Sequence, residues 1–174
     1  MSTDKHTAYI SIGSNMGNKV KNVEDILAAL EGTEGVAISG ASRLYRTEPV
    51  DYTDQDWFVN AVVRVETTLA PLELLDALGR LEAEAGRVRG EIRFGPRVID
   101  LDILLFGETV MDTERLTLPH PRMHKRCFVL RPLCDIDPTV VHPVLKRAAE
   151  ALLAENTGPG QDVLPLDADG IAPS

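Results

Sequence analysis

The segment from Val98 to Phe106 most constrains the fold, because it places two carboxylates inside a run that otherwise has the composition of a buried strand. Side chains two residues apart leave the same face of a strand, so Asp100 and Asp102 are predicted to point the same way. The opposite face is predicted to be apolar and consists of Ile99, Leu101, Ile103 and Leu105. An unpaired buried carboxylate is costly, so such a pair must raise a pKa or bind a cation. A divalent metal ion is the simplest partner.

Hydrophobic periodicity predicts the element order β-α-β-β-α-β up to this strand. Strands are predicted over residues 8–12, 36–46, 58–69 and 97–106, with helices over 17–30 and 71–86. Two strand-helix-strand units joined by an antiparallel step predict an α+β, ferredoxin-like fold, with a four-stranded antiparallel sheet and both helices on one face. Extra C-terminal helices are expected at 125–131, ending before Pro132, and at 144–155.

Size and composition narrow the class of protein. The 174 residues suffice for one domain over residues 1–174, with a core at about 8–155 and a loosely ordered tail at about 157–174. A formal net charge of -9 argues against a nonspecific nucleic-acid binder. No signal-peptide pattern and no bilayer-spanning apolar run is present, so we expect a cytoplasmic protein with no membrane partner. Cys127 and Cys134 are expected to be core thiols.

Basic residues are concentrated in two places despite the acidic total. The stretch from His120 to Arg131 contains four Arg or Lys residues and no acid. The approach to Asp100 is rich in arginine and contains Arg80, Arg87, Arg89, Arg93 and Arg97. Because Mg²⁺ prefers one or two carboxylates together with phosphate oxygens, the combination predicts phosphoryl chemistry. The usual glycine-rich nucleotide motifs are missing, so a nucleotide would have to be held in another way.

Two polar side chains have more than one interpretation from the sequence. His120 follows Pro119 and is predicted to lie in a turn, where it could be solvated or could contact a phosphate. Asn60 begins a strand beside Trp57 and Phe58. Its amide could be solvated at a sheet edge or could bind the hydrogen-bonding edge of a planar heterocycle. The two long loops over residues 47–57 and 87–96 are of a length more often functional than accidental.

Several segments together resemble the 6-hydroxymethyl-7,8-dihydropterin pyrophosphokinase family of folate biosynthesis. The matching strings are YISIGSNMG (9–17), YRTEP (45–49), DWFVN (56–60), GRVR (86–89), FGPRVIDLDILLFG (94–107) and LPHPRM (118–123). The resemblance covers roughly residues 8–138, and its most specific part is GPRxxDLD followed by LPH. It implies an ATP-dependent diphosphotransferase that moves pyrophosphate from ATP to the pterin hydroxymethyl group, releasing the pterin diphosphate and AMP.

The same resemblance assigns roles to individual residues. Asp100 and Asp102 would coordinate two Mg²⁺ ions with ATP, and Arg87 and Arg97 would be catalytic guanidiniums on the phosphate oxygens. The implied ATP-binding residues are Glu82, Arg89, Phe94, Arg97, Ile103, Arg115, Thr117, His120 and Arg126. The implied pterin-binding residues are Thr47, Pro49, Val50, Phe58, Asn60 and Phe128. The chain departs from the family pattern at Phe58, Gly79, Phe94 and Pro121.

Partners are expected to be the small-molecule substrates ATP and 6-hydroxymethyl-7,8-dihydropterin, with no nucleic acid. A monomer is expected, and association with other folate enzymes is the alternative. Two other functions stay open at this point: another two-metal phosphoryl- or nucleotidyl-transfer enzyme, and a non-catalytic ferredoxin-like binding module. The acidic charge argues against a module that binds RNA.

Overall fold

The computed structural model describes residues 4–47, 56–86, 98–156 and 163–166. In chain order its elements are β1 (His6–Ser14), α1 (Lys19–Glu31), β2 (Val36–Ala41), β3 (Tyr45–Thr47), β4 (Phe58–Thr67), α2 (Pro71–Glu84), β5 (Asp100–Phe106), β6 (Met111–Asp112), β7 (Thr117–Leu118), a 3-10 helix (Met123–Lys125), α3 (Cys127–Ile136), α4 (Ala149–Glu155) and β8 (Val163–Pro165).

A six-stranded antiparallel sheet organises the fold, in the order β5-β1-β4-β3-β8, with β2 paired to another part of β4. The predicted combination of helices with an antiparallel sheet is confirmed, but the sheet has more than the four strands predicted. The predicted strand over 36–46 is divided into β2 and β3. Between them, Ser42 bonds to Val62 of β4 through both its main chain and its hydroxyl. The remaining additional strand is β8.

Helices α1 and α2 cover one face of the sheet and enclose the first core. In α1, Asn18 Oδ1 accepts a hydrogen bond from the Lys21 N–H and caps the first turn. In α2, Pro71 takes the first helical position, and Glu73 accepts from the Ala70 N–H. The side chains of the two helices that are fully buried on this face include Val23, Ile26, Leu30, Leu74 and Leu78. Both predicted helices are confirmed to within a few residues.

Helices α3 and α4 lie against the other face and enclose a second core. Its members are Tyr9, Val62, Leu104, Leu105, Met123, Val129, Leu133 and Ala149. The predicted end of the third helix before Pro132 is wrong, because α3 continues to Ile136. Pro132 removes the main-chain hydrogen bond to the carbonyl of Phe128. Burial of Val129 and Leu133 against the sheet offsets that loss, so the helix continues through the proline.

The last helix is shorter than the predicted 144–155, because it begins at Ala149. The preceding residues form a turn around His142, whose Nδ1 accepts hydrogen bonds from the N–H groups of Val144 and Leu145. Lys146 then adopts a left-handed conformation with φ of 59°. These contacts use the main-chain N–H groups in a turn, and the left-handed residue interrupts helical geometry.

Strand β5 keeps the predicted alternation only in its first half. Leu101 and Ile103 face the first core, as predicted, and Asp100 and Asp102 face the other way. Near Leu105 the pairing with β1 shifts register, which indicates a β-bulge. Leu105 therefore joins the second core, and its predicted place on the same face as Leu101 is wrong.

The C-terminal part of the chain contributes a strand that the sequence analysis did not predict. Val163–Pro165 pair with β3, and the Leu166 N–H donates to the Leu44 carbonyl at 2.9 Å. Cys127 is buried and Cys134 half-buried, and both are free thiols as expected. Among the helices within the described ranges, none combines the length and apolarity needed to cross a bilayer.

Candidate active site

Three neighbouring strands bring both carboxylates and Asn60 to one face of the sheet. Gly13 of β1 pairs with Asp100 of β5 on one side and with Asn60 of β4 on the other. In the next row of this face, Ser11 lies opposite Asp102. Directly paired residues project to the same face, and neighbouring strands are about 4.8 Å apart, so the backbones of Asp100 and Asn60 are separated by about 10 Å. We call Asp100, Gly13 and Asn60 the central row.

Gly13 keeps the middle of the central row free of a side chain. A Cβ atom at this position would lie 2.9 Å from Asn60 Oδ1, closer than Cβ atoms normally approach, and 3.8 Å from Phe58 Cδ1. Flat open space therefore separates the amide from the carboxylate. The sequence analysis missed this residue, since it ended the first strand at Ile12. A glycine that follows a run of strand residues directly was the available signal.

The structure excludes the solvated-edge interpretation of Asn60. Its strand β4 lies between β1 and β3, and the residue is only 4% exposed. Asn60 Nδ2 donates a hydrogen bond to Thr47 Oγ1 of β3, and Thr47 is also buried. Together the two side chains present both donor and acceptor groups from adjoining strands, which suits recognition of a heterocycle edge.

Two aromatic side chains accompany the polar pair. Phe58 lies two residues from Asn60 on β4 and therefore on the same face of the sheet. Phe128 lies in the first turn of α3 and packs against the second core, which includes Val62 and Leu104 of the same face. The Arg126 guanidinium carbon lies 5.2 Å from the centre of the Phe128 ring. A residue implied to bind ATP thus adjoins one implied to bind the pterin.

The two carboxylates are half-buried and have an anchored backbone between them. Glu82 of α2 is buried, and its Oε2 accepts a hydrogen bond from the Leu101 N–H at 3.0 Å. In this structure Glu82 therefore holds the strand segment that carries Asp100 and Asp102. Within the described ranges, no three His, Cys, Asp or Glu side chains form a group suited to a metal ion. Two carboxylates match the chemistry of Mg²⁺, which completes its coordination with substrate phosphates and water.

The other residues implied to bind ATP lie around β5 and the β6-β7 hairpin. Arg115 forms an ion pair with Asp76 of α2, and Thr117 Oγ1 donates to Asp112 Oδ1 at 3.0 Å. Ile103 is 3% exposed within the first core, so it can contact a ligand only through its main chain. Arg87, Arg89, Phe94, Arg97, Pro49 and Val50 lie outside the described residues.

His120 is held by main-chain contacts in a turn that follows a cis Leu118-Pro119 bond. Its N–H donates to the Leu104 carbonyl at 2.9 Å, and its Nδ1 accepts from the Arg122 N–H at 3.1 Å. Burial lowers the pKa of His120 to about 4, and the nearby Arg126 and Arg122 lower it further. The imidazole is therefore neutral at pH 7, with its proton on Nε2. It can donate a hydrogen bond to a ligand but does not contribute a positive charge.

Acidic conditions should expose this property of His120 as a loss of stability. The unfolded chain protonates the side chain near its ordinary pKa of 6.5, whereas the folded chain does so only near 4. Its contribution is therefore full above pH 6.5 and is lost as the pH falls towards 4. From pH 7 to pH 5 it should lower the free energy of unfolding by about 2 kcal/mol, and His120→Gln should lack this component.

Urea unfolding of both proteins at the two pH values measures the difference. His6→Gln, at an exposed position of β1, is the matched control and should keep the wild-type dependence on pH. An equal loss of stability in wild type and His120→Gln would contradict a buried neutral imidazole at position 120.

Comparisons with known proteins agree with this arrangement. The family model for 7,8-dihydro-6-hydroxymethylpterin-pyrophosphokinase (HPPK) matches residues 9–138. A 2-amino-4-hydroxy-6-hydroxymethyldihydropteridine pyrophosphokinase of Bacillus subtilis is 46% identical over 129 residues, covering 74% of this chain and 77% of that protein. The protein of the same name from Pseudomonas aeruginosa is 44% identical over 146 residues, covering 84% of this chain and 90% of its own length.

Longer relatives contain a similar segment. The folic acid synthesis protein fol1 of Schizosaccharomyces pombe is 44% identical over 142 residues, which cover 82% of this chain and 19% of that protein. The chain thus spans about a fifth of this fungal relative. A crystal structure of Plasmodium falciparum HPPK-DHPS with pteroate has the same fold, with a TM-score of 0.69 at 16% identity over 89% of this chain and 43% of that one. On the family match and the bacterial relatives, the chain belongs to the 7,8-dihydro-6-hydroxymethylpterin-pyrophosphokinase family.

Proposed function

We propose that this protein transfers the pyrophosphoryl group of ATP to the hydroxymethyl oxygen of 6-hydroxymethyl-7,8-dihydropterin, forming the pterin diphosphate and AMP in folate biosynthesis. The observation that carries the proposal is the central row, in which Gly13 separates Asp100 from Asn60. This row places a carboxylate suited to Mg²⁺ and a buried amide suited to a heterocycle on the same face. Bacterial relatives named as pyrophosphokinases support the same activity.

The polar end of the central row would bind the pterin. Asn60 and Thr47 would pair with the hydrogen-bonding edge of the heterocycle, and Phe58 and Phe128 would stack against its faces. Gly13 leaves room for a flat ligand to pass from Asn60 towards Asp100. Pro49 and Val50, which follow Thr47 in the chain, complete the proposed pterin site.

The carboxylate end would bind the nucleotide. Asp100 and Asp102 would hold two Mg²⁺ ions with ATP, and such ions neutralise the triphosphate charge and orient it for attack. Glu82 keeps both carboxylates in place by holding the Leu101 N–H. The remaining proposed ATP contacts are Arg89, Phe94, the main chain of Ile103, Arg115, Thr117, His120 and Arg126. Arg87 and Arg97 are the proposed catalytic guanidiniums, since a bidentate arginine fits phosphate oxygens.

The finer architecture and the state of the protein belong to this proposal too. The element order from β1 to β5 supports a ferredoxin-like βαββαβ core, in which β2 and β3 together take the place of one strand. We expect one domain that acts as a monomer in the cytoplasm. Association with other folate enzymes is the alternative, because some relatives from Arabidopsis thaliana are named folate synthesis bifunctional proteins.

Product analysis tests the function directly. With ATP, Mg²⁺ and 6-hydroxymethyl-7,8-dihydropterin, the purified protein should release AMP and pterin diphosphate in equal amounts, and it should release no AMP without the pterin. Production of ADP, or release of free pyrophosphate without the pterin, would indicate another phosphoryl- or nucleotidyl-transfer enzyme. Binding of the pterin without any turnover would indicate a non-catalytic module.

A further inference from the structure

A buried hydrogen bond joins β3 to α3 beside the proposed pterin site. Tyr45 is fully buried, and its hydroxyl donates to Asp135 Oδ2 at 2.5 Å. The side chain of Asp135 is itself 19% exposed, and its Oδ2 also accepts from the Arg43 main-chain N–H at 3.2 Å. The Arg43 guanidinium donates to the Tyr45 hydroxyl at 3.3 Å. A strand and a helix distant in sequence are therefore fixed to each other by a charged acceptor.

The helix face that contacts Tyr45 also carries Phe128. Phe128, Arg131 and Asp135 are spaced three and four residues apart, which places them on one face of α3. Arg131 confirms the orientation of this face, because its guanidinium carbon lies 6.0 Å from the centre of the Tyr45 ring. The contact with Asp135 near the end of the helix therefore sets the rotation of α3 about its axis and its position along β3.

The strand side of the same contact leads to the polar pair. Tyr45 and Thr47 are two residues apart on β3 and leave the same face of the sheet. Tyr45 is also the direct partner of Asn60 in the pairing of β3 with β4, and Asn60 Nδ2 donates to Thr47 Oγ1. One hydrogen bond thus connects the element that carries the aromatic ring with the element that carries the hydrogen-bonding edge.

We propose that the hydrogen bond from Tyr45 to Asp135 sets the gap between the Phe128 ring and the Thr47-Asn60 pair, so that it accepts one planar heterocycle. The inference rests on the proposed function, in which these residues bind the pterin. Tyr45 and Asp135 are positioning residues that act through Phe128 and Thr47. Because Tyr45 is fully buried, water cannot easily replace the lost bond when either partner is removed.

A second buried tyrosine provides a matched control. Tyr9 is 5% exposed in the second core, on the same face of the sheet as Tyr45. Its hydroxyl bonds to Arg64, the residue opposite it on β4, instead of to α3. Tyr9→Phe therefore removes the same chemical group from the same face, four residues along β4 from Asn60. If buried hydroxyls contribute only stability, the two substitutions should behave alike.

The test measures the KM for pterin, the KM for ATP, kcat and the Kd for pterin without ATP. Tyr45→Phe and Asp135→Ala should each raise the pterin KM and Kd about tenfold, as expected for loss of a buried hydrogen bond to a charged group. The ATP KM and kcat should stay within about twofold. Asp135→Asn keeps an acceptor for the hydroxyl and should restore most of the affinity. The double variant Tyr45→Phe/Asp135→Ala should be no worse than either single one, because both remove one interaction.

Two results would overturn the inference. One is an unchanged pterin Kd in Tyr45→Phe and Asp135→Ala. The other is a loss that affects ATP and pterin equally and that Tyr9→Phe reproduces, which would make the bond a contribution to stability alone. Should Tyr45→Phe fail to fold, the comparison of Asp135→Ala with Asp135→Asn gives the same decision. Failure of the proposed function is distinguishable, since the wild-type protein would then form no AMP with the pterin.

Discussion

Replacement of Asp100 by alanine is expected to lower the rate of AMP formation about a thousandfold while the protein stays folded. The substitution removes one of the two carboxylates proposed to hold Mg²⁺. A bound metal ion supplies several kcal/mol of charge stabilisation in the transition state, and each 1.36 kcal/mol corresponds to about tenfold in rate. Asp100 faces away from the first core, so its loss leaves no cavity there. Removing one of two like charges should leave the melting temperature without metal unchanged or raise it.

Steady-state assays over a range of Mg²⁺ concentrations, with thermal melting of the same samples, measure both effects. Glu66→Gln is the matched control, since Glu66 lies on the same face at the other end of β4 and accepts hydrogen bonds from Thr7 and Ser39. It should keep the wild-type turnover rate. A fully active Asp100→Ala protein would contradict the metal assignment, and an unfolded one would contradict the position given to this side chain.

Replacement of Asn60 by alanine is expected to raise the pterin KM about a hundredfold, with little change in the ATP KM. The side chain is almost fully buried and donates to Thr47, so its loss leaves the Thr47 hydroxyl and the heterocycle edge without their partner. Sites built to hydrogen-bond a ligand lose about 3 kcal/mol or more when such a group is unpaired. Isothermal titration with the pterin alone measures the affinity without turnover.

Asn18→Ala provides the comparison for this variant. Asn18 is exposed and caps α1 by accepting from the Lys21 N–H, so its loss should lower stability by about 1 kcal/mol. Its pterin affinity should equal that of the wild type. If Asn60→Ala bound the pterin as tightly as Asn18→Ala does, Asn60 would have no part in heterocycle recognition.

The elements predicted well from the sequence are those whose burial pattern is decided within one segment. The apolar spacing of Val23, Ile26 and Leu30 defines α1 because all three face the same core. The period of two in β5 likewise predicted that Asp100 and Asp102 share a face. The end of α3 could not be found this way, since the apparent stop at Pro132 is overridden by packing against the sheet. The turn around His142 depends on hydrogen bonds from its imidazole.

Several features of the site depend on pairings between distant segments, which a local pattern does not contain. Gly13 is significant only because β1 lies between β4 and β5. The pKa of His120 depends on burial and on Arg126 and Arg122, so the charge of the imidazole was not evident from its basic neighbours. Tyr45 and Asp135 lie ninety positions apart, and no motif links them. The family resemblance supplied candidate roles for residues but not these contacts.

The central row also has a consequence for how such a sequence can change over generations. Its two ends are kept apart by strand pairing through Gly13, so insertions or deletions in the connections between strands leave that separation intact. A single-residue insertion within β1 would instead reverse the facing of every later residue in the strand. The row would then contain a large side chain in place of Gly13. Length variation among descendants of this gene is therefore expected between the strands, whereas the register of β1 is inherited unchanged.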